Sequence, residues 1–424
     1  MFFDSSLEFA KSLDQQDPLN SFREEFIFPT FHEKEVRYFT GNSLGLQPKN
    51  AKKYILEELD DWGKYGVEGH FLSRRPWYSY HENLTKMMAK IVGAKPIEVV
   101  VTHSLTTNLH LLLVSFFQPK GRRSKILCEA KAFPSDQYAL ASQINFHGLN
   151  AEDLVEISPR EGENIIREED IISKIIELGD QLALVMIGGV NYYTGQLFDM
   201  KSITAAGHSV GAKVGFDLAH AAGNVMLSLH DWGLDFAAWC GYKYLNSSPG
   251  GVSGFFVHER HANDKTLPRF AGWWGHDKES RFQMTPGFHP IPGAEGWQLS
   301  NAPVLGMAAQ LASLEIFERA GMDRISQKRT LLTGYLENVI LNVSKKNQAL
   351  CSIEIITPSD PKRRGSQLSL LLHGKGKEVH DELTNRGVIT DWREPNVIRV
   401  APAPLYNRFE DCYWFGKYLE EAIQ

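Results

Sequence analysis

The sequence predicts an α/β protein: a large, doubly wound, mostly parallel sheet domain followed by a smaller α+β C-terminal domain. Three observations lead there. From about residue 97 to 258, short β-branched and aromatic runs alternate with helical or polar stretches, the pattern of parallel strands joined by crossover helices. Several runs, such as Leu184-Val185-Met186-Ile187, are continuously apolar, as strands covered on both faces are. After about residue 303 the pattern changes to long helical segments and then short strands, which sets off a second unit.

Taken in order, residues 1–50 contain Pro18, Pro29 and Pro48 and few clear periods, so they are expected to form an arm packed on one of the domains. Residues 51–303 form the large domain, with strands expected at Glu98–Thr102, Lys125–Glu129, Ala183–Gly188, Lys213–Asp217, Phe236–Trp239 and Gly254–His258. Residues 304–424 begin with helical segments at Val304–Ala320 and Arg324–Asn342. A strand at Gln367–Leu372, a helix at Lys377–Arg386 capped by Gly387, short strands near Val388–Asp391 and Val397–Val400, and a last helix from Phe409 complete the reading. No internal repeat or low-complexity segment interrupts it.

Length and composition agree with this plan. A chain of 424 residues exceeds what one core organises, and 43% hydrophobic with 23% charged residues is ordinary for a globular protein. The 45 Lys plus Arg against 51 Asp plus Glu leave a net charge of -6 and no basic block to follow a phosphate backbone, so nucleic acid is not an expected partner. The longest apolar runs, Leu109–Phe117 and Leu182–Val190, are too short to cross a bilayer, and the start lacks a signal-like basic and apolar pattern. A cytoplasmic location follows as an expectation. Cys128, Cys240, Cys351 and Cys412 are scattered without a Cys-x-x-Cys pair, and no His-Glu-x-x-His occurs, so no disulfide framework and no metal site is expected.

The chemistry concentrates in Val214-Gly215-Phe216-Asp217-Leu218-Ala219-His220, followed by Gly241-Tyr242-Lys243-Tyr244-Leu245-Asn246. An Asp at the end of a buried strand is costly unless a cation meets it. A pyridinium nitrogen meets that need, and a carboxylate partner keeps such a ring protonated as an electron sink. Lys243 follows another strand and emerges at the same sheet edge. In apolar surroundings a lysine amine becomes available for a Schiff base with pyridoxal phosphate. Alone, Lys243 reads as an ordinary surface lysine; beside Asp217 and His220 that reading weakens.

Such a cofactor needs a phosphate holder. Ser104-Leu105-Thr106-Thr107-Asn108 lies after a strand and opens an apolar helix, where free backbone N–H groups and hydroxyls bind anions. A simple helix cap is the competing reading. Phe133-Pro134-Ser135-Asp136 follows another strand end; an aromatic there can stack on a flat ring, and a plain turn is the alternative.

These residues resemble the kynureninase family, within the fold-type-I PLP-dependent transferase fold of class V aminotransferase-like enzymes. The resemblance rests on Gly41-Asn42-Ser43-Leu44-Gly45-Leu46-Gln47-Pro48, Arg75-Pro76-Trp77, Phe133-Pro134-Ser135-Asp136, Tyr193-Thr194-Gly195-Gln196 and Phe216-Asp217-Leu218-Ala219-His220. It continues through Tyr242-Lys243-Tyr244-Leu245-Asn246, Gly272-Trp273-Trp274-Gly275-His276 and Ile398-Arg399-Val400-Ala401-Pro402. The stretches span nearly the whole chain in the family's order.

The resemblance implies that Leu105 and Thr106 contact the phosphate, that Phe133 stacks on the ring, and that Asp136, Asp217 and His220 surround it. It further implies that Tyr242 reaches the phosphate and that Lys243 carries the cofactor. Trp273 and Asn301 are similar to residues that a second subunit contributes, which implies a homodimer with shared sites. Arg399 resembles the clamp for a substrate α-carboxylate, a role suited to its planar fork. Gly188 stands where relatives commonly carry Ser or Ala near the cofactor, so no side chain reaches out from this position and only its backbone stays available.

The implied reaction is hydrolytic Cβ–Cγ cleavage of L-kynurenine or 3-hydroxy-L-kynurenine to L-alanine and an anthranilate, in tryptophan catabolism and NAD biosynthesis. Lys243 serves as the base, and Tyr242 is either a proton donor to Cβ or only a phosphate ligand. His70 and Asn301 match residues that face the substrate ring in relatives favouring the 3-hydroxy substrate, so that preference is expected. Ser43 either lines the same pocket or forms a turn. Two rivals remain at this level. A cysteine desulfurase or lyase needs a nucleophilic Cys on a mobile loop, whereas Cys351 sits in an apolar run. A non-catalytic binding module would be marked by loss of Lys243 or Asp217, and both are present.

Overall fold

A computed structural model describes residues 3–424, so the first two positions of the expected arm lie outside the described residues. Seven strands form the principal sheet: β1 (Val99–Val101), β2 (Lys125–Glu129), β3 (Leu154–Ile157), β4 (Leu182–Gly188), β5 (Lys213–Asp217), β6 (Phe236–Trp239) and β7 (Gly254–Val257). They lie in the order β1-β7-β6-β5-β4-β2-β3. β7 is antiparallel to β1 and β6, and the remaining pairs are parallel. The α/β, mostly parallel sheet read from the sequence is the one observed.

Burial on both faces explains the apolar strands. Successive side chains point to opposite faces: Val99, Val101, Leu127, Val185, Ile187, Val214 and Phe216 enter one core. Val100, Ile126, Cys128, Leu184, Met186, Phe236 and Phe255 enter the other. Full burial of such side chains stabilises by about 1.5–3 kcal/mol each. A one-residue slip exchanges the two sets, so the register is tightly held. β3 lies beyond the strands that the sequence pattern predicts. It is an edge strand, Leu-Val-Glu-Ile, with only Ile157 buried, and its central Glu156 hides the apolar signal.

The C-terminal part carries a four-stranded antiparallel sheet in the order Ser352–Ile355, Leu368–His373, Val397–Val400, Asp391–Arg393. Helices Met322–Asn347, Gly376–Asn385 and Phe409–Ile423 cover it through Leu336, Ile340, Leu383, Phe415 and Leu419. The strand Ser352–Ile355 is likewise not predicted by the pattern, because its outward Ser352 and Glu354 leave two apolar residues. Gly387 follows its helix with φ +74°, the left-handed conformation a helix stop uses. Helix Val304–Ala320 sends Met307, Leu314 and Phe317 into the core of the principal sheet.

The chain's start is tied to its end. Helix Leu7–Gln16 presents Asp14, whose carboxylate accepts the N–H groups of Phe409 and Glu410 at 2.8 and 3.0 Å, so it satisfies orphan donors at the start of the last helix. Arg37–Tyr38 pairs in parallel with Val388–Ile389. Among the described residues, no helix is long and apolar enough to cross a membrane.

Candidate active site

β2 leads outward to β3, while β4, β5 and β6 proceed the other way across the sheet. Where strand order reverses like this, a crevice opens at the carboxyl ends of the strands. Glu129 ends β2, Gly188 ends β4 and Asp217 ends β5, with Asp217 in register with Gly188 and Ala238. All three line one cavity together with Leu105, Thr106, Phe133, Asp136, His220, Tyr242 and Lys243. Apart from Glu129, each of these is a site residue predicted from the sequence, and the fold brings them to one place.

Lys243 is held by the turn after β6. Gly45 donates its N–H to the Tyr242 carbonyl at 2.8 Å, and a Cβ at Gly45 would lie 2.4 Å from the Lys243 carbonyl oxygen. The Gly-Asn-Ser-Leu-Gly loop therefore needs glycine there to pack beneath the lysine. Lys243 is buried, with Nζ 3.0 Å from Nε2 of His220 and 5.6 Å from the Phe133 ring centroid. Burial, then the neighbouring ammonium, pushes His220 well below the usual histidine range. A neutral imidazole results, able to accept from Nζ.

The acids behave in the opposite sense. Burial raises Asp217, although its Oδ1 accepts the Ala219 N–H at 2.6 Å. Burial and the adjacent Asp217 raise Asp136 well above the carboxylate range. Burial raises the phenol of Tyr242, which stays protonated. Oδ1 of Asp136 and Nδ1 of His220 are buried without a hydrogen-bond partner, an arrangement expected where a polar ligand belongs.

Helix Leu105–Phe116 begins at this cavity with Ser104 as N-cap residue, and no side-chain capping bond closes it. Its first N–H groups are open to an anion. The set fits the parts of pyridoxal phosphate: an amine for the aldehyde, carboxyls for the ring nitrogen, an aromatic for the ring face and a helix start for the phosphate.

Arg399 and Ser43 stand beside this cavity. Arg399 donates to the Tyr192 carbonyl and to Asp391, both at 2.6 Å, and to Ser43 Oγ at 3.3 Å. Ser43 also donates to Asp391, and Tyr192 lines the cavity with its ring edge-on to Phe133 at 5.3 Å. Nε of Arg399 is buried and unpartnered. Asp391 is held below its usual range, since Arg399 and Ser43 outweigh the opposing effect of burial.

His70, Trp273 and Asn301 lie outside the cavity. His70 Nδ1 is 2.9 Å from the Val67 carbonyl, and its ring meets Trp77 edge-on. Trp273 is 45% exposed and Asn301 is exposed. An aromatic series, Phe71–Tyr78–Phe282–Trp273, links the His70 and Trp273 regions on one face.

Sequence reasoning misses Glu129 and Tyr192. Glu129 carries a signal, a charged residue closing an apolar strand as Asp217 does. Tyr192 carries none until the loop after β4 is folded. The four cysteines are buried and free, and none lines the cavity.

Comparison with known proteins agrees with this architecture. Residues 325–419 match the family described as Kynureninase C-terminal domain. A kynureninase of Flavobacterium johnsoniae is 60% identical over 424 residues, covering 100% of this chain and 99% of that protein. Those of Myxococcus xanthus and Nematostella vectensis are 55% and 49% identical, over 99% of this chain in each case and 97% and 94% of theirs. Among solved structures, a C-DES mutant with glycine covalently linked to its PLP cofactor superposes with a TM-score of 0.79 at 17% identity, covering 94% of this chain and 99% of that one. A cysteine desulfurase from Thermococcus onnurineus gives 0.74 at 19%, covering 92% and 94%. These last two share the fold. On full-length identity the chain belongs to the kynureninase family of pyridoxal-phosphate-dependent hydrolases.

Proposed function

We propose that this chain hydrolyses the Cβ–Cγ bond of kynurenines, with pyridoxal phosphate held on Lys243, releasing L-alanine and an anthranilate. The convergence of Lys243, Asp217 and His220 on one cavity, in a chain of this family, carries the reading. Leu105 and Thr106 receive the phosphate at the helix start, Phe133 covers the ring, and Asp217 faces its nitrogen with Asp136 and His220 beside it. When bound, the cofactor supplies an electron sink for charge developing at the substrate α-carbon and later at the β-carbon.

The protein's own groups do the rest. Lys243 Nζ, once the substrate amine has taken its place, removes the α-proton, and the neutral His220 at 3.0 Å orients it. Arg399 holds the α-carboxylate, using the buried Nε left free by its contacts with Asp391 and Tyr192. Water adds to the γ-carbonyl, and Tyr242, kept protonated by burial, donates its phenolic proton to Cβ as the bond breaks. The reaction belongs to tryptophan catabolism and NAD biosynthesis in the cytoplasm.

A homodimer completes the site. Trp62, Val67, Phe71 and Leu72 are 62%, 76%, 57% and 60% exposed, and large apolar side chains gathered at the surface mark an interaction face. It adjoins His70 and the series ending at Trp273. Covering this face with a second copy brings His70, Trp273 and Asn301 to the other chain's cavity, where His70 and Asn301 favour 3-hydroxy-L-kynurenine by hydrogen bonding its ring hydroxyl.

Borohydride reduction tests the cofactor assignment. The purified protein is expected to show a visible band that reduction abolishes, leaving the cofactor covalently fixed to the peptide containing Lys243. A Lys243→Ala protein that keeps bound, reducible cofactor in the same covalent form contradicts it.

A further inference from the structure

Three carboxyl groups face the cavity of Lys243, one more than the family resemblance assigns. Glu129 and Asp217 end the two strands that flank the strand closed by Gly188, Asp136 comes from the helix Pro134–Phe146, and all three are buried. The cations are fewer. Lys243 is the one ammonium lining the cavity among the described residues, His220 is neutral, and Arg399 is already matched by Asp391 at 2.6 Å. Three ionised carboxyls beside one ammonium would leave two uncompensated charges out of water. Groups so placed hold protons instead.

The geometry distributes those protons. Asp217 accepts the Ala219 N–H at 2.6 Å, which favours its charged form. Asp136 leans on Asp217 and has an unpartnered Oδ1, so its proton is shared between the two. Glu129 is tied to the strand next door: its Oε2 accepts the Gly188 N–H at 2.8 Å. A Cβ built at Gly188 would lie 3.0 Å from Oε1 of Glu129. The glycine therefore makes the seat that the carboxyl occupies, and Glu129 fills the space that a side chain at position 188 would take.

We propose that Glu129, seated against Gly188, is a positioning residue that sets the charge with which the Asp136–Asp217 pair faces the cofactor ring. The inference rests on the cofactor reading above and adds to it a residue and a reason for Gly188. Burial raises Glu129 to about 7, opposed by the Gly188 N–H and reinforced by Asp217. The groups facing it are Asp217 from β5, Asp136 from the helix, its strand neighbour Cys128, and the amide of Asn191; Lys243 is the cation nearest the pair. Glu129 is thus the member placed to change charge within the neutral range, while burial and the adjacent Asp217 raise Asp136 well above its ordinary value.

The test follows the visible band of the holoprotein from about pH 6 to about pH 9 in wild type, Glu129→Gln and Gly188→Ala. In the wild type the band is expected to shift with an inflection near neutrality. Glu129→Gln should lose that inflection while keeping the cofactor on Lys243. Gly188→Ala, which presses a methyl group on the carboxyl, should move the inflection. A Glu129→Gln holoprotein with the wild-type pH profile overturns the inference even if it melts at a lower temperature, since that is a structural role alone. Should Glu129→Gln fail to fold, an unmoved inflection in Gly188→Ala overturns it. No visible band in the wild type means instead that the cofactor reading has failed, and this inference fails with it.

Discussion

Lys243 and His220 sit with Nζ 3.0 Å from Nε2, and the pairing works because only one of them carries charge. Burial and the ammonium together keep the imidazole neutral, so the ring accepts a hydrogen bond and repels nothing. The same cavity keeps Tyr242 protonated. One pocket therefore presents an amine, a neutral imidazole that supports it and a protonated phenol within a few residues of two strand ends.

Replacing Asp217 by Ala removes the acceptor of the Ala219 N–H and the acid proposed to face the ring nitrogen. Breaking a buried charge pairing costs about 3–5 kcal/mol, and about 1.4 kcal/mol corresponds to a factor of ten. Kynurenine turnover is expected to fall by at least about 100-fold, read by product formation. Asp217→Ala turnover within a few-fold of wild type contradicts the assignment.

Arg399→Lys keeps a positive charge and loses the fork that spans Tyr192, Asp391 and a ligand carboxylate. Losing one charged hydrogen bond costs about 1.5–3 kcal/mol. KM is expected to rise roughly tenfold to 100-fold, with a smaller change in kcat. Steady-state kinetics check the split; a fall confined to kcat points to another role.

How much of this is legible in the sequence depends on where chemistry shows above background. Asp217 stands out because a charge at the end of an apolar strand needs a reason, whereas Lys243 gains meaning only beside Asp217 and His220; the strands themselves carry an unbroken apolar run. Glu129 gives the same signal in Lys-Ile-Leu-Cys-Glu, but its partner is a backbone N–H at Gly188, which no sequence motif announces. The edge strand Leu154–Ile157 lacks a second buried face, so its pattern is too weak to see. Arg399 is singled out only by the family resemblance, and its engagement by Asp391 is not legible at all, because the two lie on adjacent antiparallel strands.

Asp235, at the opposite end of the sheet, accepts hydrogen bonds from His208 and His261 at 2.8 Å each and from the Val214 N–H at 2.9 Å. Burial opposes its ionisation, yet these donors and Lys213 outweigh burial and hold it well below the carboxylate range. A lowered folded-state pKa means the unfolded chain binds the proton first. Its stabilisation is present above the unfolded value of about 3.9 and is lost as pH falls below it. Melting temperature followed from about pH 7 to about pH 3 should drop less steeply in Asp235→Asn than in wild type, from a lower neutral value. Parallel curves contradict this.

Shared sites predict complementation. Lys243→Ala and a Trp273→Ala/Asn301→Ala double variant are each expected to be nearly inactive. Mixed dimers contain one site with every required residue, so co-refolded or co-expressed chains should recover about a quarter of wild-type turnover at random pairing. No recovery, in mixtures shown to contain heterodimers, contradicts sites built from two chains.

Product analysis with L-kynurenine and 3-hydroxy-L-kynurenine side by side tests the central claim most directly. Stoichiometric L-alanine with anthranilate or 3-hydroxyanthranilate is expected, and a higher kcat/KM on the 3-hydroxy substrate. Equal kcat/KM on both contradicts the roles of His70 and Asn301; absence of alanine and anthranilate products, with cofactor bound on Lys243, contradicts the proposed reaction as a whole.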